Sequence, residues 1–74
     1  MGEIRTVDGR DLPAPEPLEL ALDALAGLRG DEQLRLLIHR EPLMLYDLLR
    51  GGGYRWESRM LAEGHFEIMI WQDK

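Results

Sequence analysis

The residues able to do chemistry in this 74-residue chain are few. His39 and His65 are its two histidines, the side chains best suited to ligate a metal. Brought together on neighbouring strands, with Glu67 or Met69 beside them, they would make weak candidates for a metal or heme site. They have no fixed local spacing, however, and read more simply as solvent-facing strand residues. An acid/base role for the histidines lacks a nucleophile or oriented triad, and Asp8 and Asp11, carboxylates for acid/base work in principle, read as ordinary turn residues. The run Pro13, Ala14, Pro15, Glu16, Pro17 stands before an apolar helical stretch, where unpaired backbone N–H groups would suit a small anion. The plainer reading is a rigid cap. Cysteine is absent, which excludes disulfides, thiolate metal sites, redox switching and thiol nucleophiles together.

These residues must be positioned by a small fold. Seventy-four residues are read as one domain, 1–74, with an ordinary globular composition of 45% hydrophobic and 31% charged residues. The net charge of −5 argues against binding nucleic acid through its phosphates. Arg35, Arg40, Arg50, Arg55 and Arg59 lie from residue 35 onward, whereas Glu16, Glu19 and Asp23 crowd the first helix. No apolar run approaches the roughly 20 residues that span a bilayer, and no signal-like start is present. Met1, Gly2 and Thr6 fit the short myristoylation pattern, which is read as a chance match. Lack of disulfides in so small a chain favours a reducing, cytoplasmic location.

The elements follow from periodicity. Residues 4–8 alternate as a short strand, which Gly9 breaks, and the prolines at 13, 15 and 17 form a stiff extended lead-in. A first helix from Glu16 or Pro17 carries Leu18, Ala21, Leu22, Leu25 and Leu28 as its apolar stripe, with Gly27 and Gly30 at its end. Gln33 to His39 reads as a second, buried strand. Glu41 and Pro42 open a second helix of about ten residues with Leu45, Leu48 and Leu49 inward, stopped by Gly51, Gly52 and Gly53. Tyr54, Trp56, Ser58 and Met60 share one face of a third strand, opposite Arg55, Glu57 and Arg59. Phe66, Ile68 and Ile70 share one face of a fourth, opposite His65, Glu67, Met69 and Trp71, and a hairpin joins the last two strands. Two helices cover one face of a four-stranded sheet. Leu37, Met69 and Trp71 then form a partly apolar patch on the uncovered face, a candidate partner surface.

The stretch Asp8 to Pro17 resembles the TusA-like sulfur carriers, in which an acidic residue ends a strand and a Cys-Pro-x-Pro motif opens the first helix. Ala14-Pro15-Glu16-Pro17 stands in the motif's place. The Gly-Asp-Glu turn, Arg40-Glu41-Pro42 and the aromatic hairpin extend the likeness over nearly the whole chain. The strings Leu-Pro-Ala-Pro-Glu-Pro-Leu-Glu, Arg-Glu-Pro-Leu-x-Leu-Tyr-x-Leu-Leu and Gly-Tyr-x-Trp-Glu are similar to a cysteine-less bacterial branch, a domain-of-unknown-function group. The resemblance implies a β-α-β-α-β-β, α/β two-layer sandwich with a mixed sheet. It also implies company with hemerythrin-like, denitrification or nitric-oxide-response proteins. A carrier's cysteine must become a thiolate and take up sulfur as a persulfide, and the methyl of Ala14 can do neither.

The expectation is therefore a cofactor-free, non-catalytic binding or adaptor module with an unknown protein partner, contacting neither nucleic acid nor membrane. The alternative is a protein that binds a small molecule, anion, metal or heme in redox or nitric-oxide metabolism.

Overall fold

The computed structural model describes residues 2–11, 13 and 16–73, without the side chains of Glu16 and Glu63. Strand β1 (Ile4–Asp8), helix α1 (Glu16–Ala26), strand β2 (Gln33–Ile38), helix α2 (Leu43–Gly52), strand β3 (Tyr54–Met60) and strand β4 (Phe66–Gln72) follow in chain order. A single 3₁₀ turn, Ala62–Gly64, joins β3 to β4.

The sheet order is β1-β2-β4-β3. β1 runs parallel to β2, β4 is antiparallel to both of its neighbours, and β1 and β3 are the edges. Alternation along the central strands sends Leu34, Leu36 and Ile38 of β2, with Ile68 and Ile70 of β4, beneath the helices. α1 lies over β1 and β2, and α2 over β3. Ala21, Leu25, Leu45 and Leu49 pack into the core from the helices, the fully buried Leu45 and Leu49 each stabilising it by about 1.5–3 kcal/mol. Tyr46 stacks on Trp56 with ring centres 5.1 Å apart, and Arg50 lies over the same indole at 5.6 Å.

Gly53 ends α2 at φ 82°, a left-handed position that suits a residue without Cβ, and its N–H reaches Leu49 O. At the same end of the sheet, Glu32 caps the turn that follows α1. Its Oε1 accepts from Arg29 N–H at 2.7 Å and its Oε2 from Arg5 Nε at 3.3 Å.

Two details of the expected packing change. Leu22 and Leu48, both assigned inward, are substantially exposed. The sheet needs only the Ala21–Leu25 and Leu45–Leu49 ridges. The neighbouring leucines stand off to the side of each helix. β2 also stops at Ile38, one residue short of His39.

Candidate functional site

The chain leaves β1 at Asp8 and must turn tightly to bring α1 over the sheet. Asp8 accepts from the Arg10 backbone N–H at 3.1 Å, and its carboxylate oxygens accept from Arg10 Nε at 2.9 Å and Nη2 at 2.7 Å. These Arg10 hydrogen bonds hold the Asp8 carboxyl down at about 2. Asp8 is therefore a committed turn acceptor with no proton to give near neutrality. Gly9 donates to Leu37 O at 2.7 Å. A Cβ on Gly9 would lie 3.1 Å from Pro17 Cβ, so the bare glycine lets the strand end pass against the first turn of α1.

Pro17 is buried at that crossing, and Pro13 is exposed in the connection. Glu16 is the first residue of α1, while Ala14 and Pro15 lie outside the described residues.

Beside Pro17 a cleft of about 420 Å³ opens between the first turns of the two helices. Pro17 and Leu18 line it from α1, Ile38 from β2, and Pro42, Met44 and Leu45 from the start of α2. Leu43 and Met44 are 65% and 71% exposed, and one helical turn beyond the lining residues Leu22 and Leu48 are 39% and 50% exposed. The apolar walls thus continue along both helices. His39, Arg40 and Glu41 supply the polar margin. The Tyr46 hydroxyl donates to Glu41 Oε2 at 3.3 Å, and burial pushes that phenol above its usual value. A slot of this composition can bury apolar side chains.

The sequence contained a signal for this cleft. Leu43, Met44, Leu45, Leu48 and Leu49 are more apolar positions than one buried helix face can absorb.

The opposite, open face of the sheet is organised around charge. Glu67, with a side chain only 8% exposed, accepts from Arg35 Nε and Arg59 Nη2, each at 2.6 Å. The Arg35 hydrogen bond, aided by the charge of Arg59, outweighs burial and holds the Glu67 carboxyl below its usual range. Leu37, Met69 and Trp71 do share this face, but Leu37 is buried opposite Glu67. Met69 lies between Arg35 and Glu57, and Trp71 between Gln33 and Arg55. The three apolar residues are therefore interleaved with charge. Nothing in the sequence identified Glu67 as the centre of a clamp, because its partners are 32 and 8 residues away.

Extending the β2–β4 register by one pair would oppose His39 to His65, but the ladder ends at Ile38 and Phe66. His39 turns to the cleft margin, and His65 lies near Asp8. Among the described residues no group of three His, Cys, Asp or Glu side chains is placed to hold a metal ion. Among them, too, no helix is long and apolar enough to cross a membrane.

A helix-to-strand plan of this order, with a sheet ordered β1-β2-β4-β3, invites comparison with known folds. Residues 6–72 match the model of the family described as uncharacterized conserved protein (DUF2249). The chain belongs to this family. Among solved structures, a SirA-like protein from Desulfitobacterium hafniense is similar at 26% identity with a TM-score of 0.81, the match covering 96% of this chain and 99% of that one. The search of curated proteins gives no match. This DUF2249 chain therefore has the TusA/SirA-like fold expected from its proline-rich lead-in. In that fold the cleft adjoins the helix start where, by the resemblance, the carriers hold their cysteine.

Proposed function

We propose that this DUF2249 chain is a non-catalytic binding or adaptor module that docks an apolar segment of a cytoplasmic protein between the starts of α1 and α2, and that it takes no part in sulfur transfer. The observation that carries this reading is the cleft itself. Its walls are apolar and continue into exposed Leu22, Met44 and Leu48, at a helix start that lacks a thiol. Exposed leucine and methionine in a concave setting favour a partner that buries them, and methionine adapts its shape to what arrives. With no cysteine anywhere in the chain, a persulfide has no thiol sulfur on which to form.

The test has two arms. The protein is incubated with a cysteine desulfurase and its sulfur donor, and intact mass is measured; a covalent gain of sulfur would refute the second half of the proposal. Wild type and a Met44→Glu/Leu48→Glu variant, whose changes fall on exposed positions and leave the core intact, are then compared as baits in cytosol with chemical cross-linking. A partner cross-linked beside the cleft by wild type and lost by the variant supports the docking role. Equal recovery by both proteins overturns it.

A further inference from the structure

β3 is an edge strand whose outer side meets no other strand among the described residues. The atoms it presents there can be worked out from its two ends. Asp73 N–H donates to Gly53 O at 2.9 Å, and Leu61 N–H donates to His65 O at 2.6 Å. Both pairs continue the β3–β4 register, in which Tyr54 opposes Gln72 and Met60 opposes Phe66. In an antiparallel ladder hydrogen-bonded and non-bonded pairs alternate, so residues 53, 55, 57, 59 and 61 direct their backbone groups to β4. Tyr54, Trp56, Ser58 and Met60 therefore direct their N–H and C=O groups outward, an open template for a further strand.

From this edge we infer that two copies of the chain pair through β3, antiparallel and centred on Ser58, to form a continuous eight-stranded sheet. Side chains select this register. A dyad at Glu57 would oppose Glu57 to its own copy and Arg55 to Arg59, placing like charges together twice. Moving the dyad to Ser58 opposes Glu57 of each copy to Arg59 of the other, and Trp56 to Met60. A dyad at Trp56 would also pair opposite charges, Arg55 with Glu57, but it leaves Met60 beyond the ladder. Met60 is 68% exposed in the single chain, and the Ser58 register covers it. Glu57 has no ion-pair partner among the described residues, while Arg55 and Arg59 are engaged with Asp73 and Glu67 respectively, so the cover given to Met60 decides between the two registers. In this register the outward groups of Trp56, Ser58 and Met60 all find partners, and Glu57 and Arg59 occupy the close, non-bonded pairs between them.

Sedimentation equilibrium of the full chain tests this directly, with dimer expected. Ser58→Pro removes an N–H that points away from β4, so the single chain keeps its fold by circular dichroism while the dimer is lost. Glu57→Arg and Arg59→Glu are each expected to raise the dimer Kd by about tenfold or more, and an equimolar mixture of the two restores association. The chain has no native cysteine, so single Trp56→Cys, Glu57→Cys and Ser58→Cys variants report the register by oxidative cross-linking, and Ser58→Cys is expected to couple most efficiently. A wild type that stays monomeric at millimolar concentration, a Ser58→Pro variant that still dimerises, or preferential coupling at position 56 or 57 would overturn the proposal.

Discussion

Glu67→Gln keeps the shape of the side chain and removes the charge at the centre of the open sheet face. In the wild type two guanidinium groups donate to this carboxylate at 2.6 Å. Hydrogen bonds to a charged group contribute about 1.5–3 kcal/mol each when shielded. Here the Arg35 and Arg59 side chains are 42% and 69% exposed, so water screens them and re-solvates them when the charge goes. The loss expected for Glu67→Gln is accordingly about 1–2 kcal/mol in total, or a fall in Tm of about 5–10 °C for a domain of this size. The effect carries a pH signature. Because the folded protein holds the Glu67 carboxyl below its usual value of 4.5, the unfolded chain binds the proton first as pH falls. The stabilisation is complete above that usual value and is lost as pH drops through the lower, folded one. Urea melts of both proteins from pH 7 down to strongly acidic conditions read this out, since subtracting the two curves removes the contributions of Asp8 and Glu32. A gap that is present at neutrality and closes in acid is expected. Equal stability at pH 7, or a gap that does not change with pH, would refute the reasoning.

Three further substitutions probe the frame that positions the cleft. Gly53→Ala places a Cβ in a left-handed cap where no other atom is within 4 Å, so the cost is backbone strain alone, about 1 kcal/mol by urea denaturation. Leu45→Ala empties a fully buried site under the cleft and is expected to destabilise the chain by about 2–5 kcal/mol in the same assay. Glu32→Leu removes the acceptor of the Arg29 N–H, and hydrogen exchange should show that amide losing protection while those of β4 keep theirs.

Local chemistry made most of this fold legible in the sequence. Proline spacing located the start of α1, the glycine run located the end of α2, and strict alternation in β3 and β4 set which face of each strand enters the core. Helical periodicity named Ala21, Leu25, Leu45 and Leu49 correctly. It misplaced Leu22 and Leu48, because periodicity gives an angle around the helix and not the width of sheet available beneath it. The cleft was hidden for the same reason, since it exists only once two helices distant in sequence are laid over one sheet with a gap between their first turns. The Arg35–Glu67–Arg59 clamp depends on strand order, with β4 inserted between β2 and β3, and neighbouring residues carry no trace of that order. Met69 and Trp71 were placed on the right face, yet the charges between them became visible only through the register.

The most direct measurement of the docking account is amide shift mapping of the labelled chain during titration with a purified partner recovered by the wild-type bait. The account expects shifts concentrated at Leu18, Leu22, Met44 and Leu48, lining or continuing the cleft, and expects them to vanish in the Met44→Glu/Leu48→Glu variant. Shifts confined to the Arg35, Glu67 and Met69 face, with the residues of the helix starts unmoved, would contradict it.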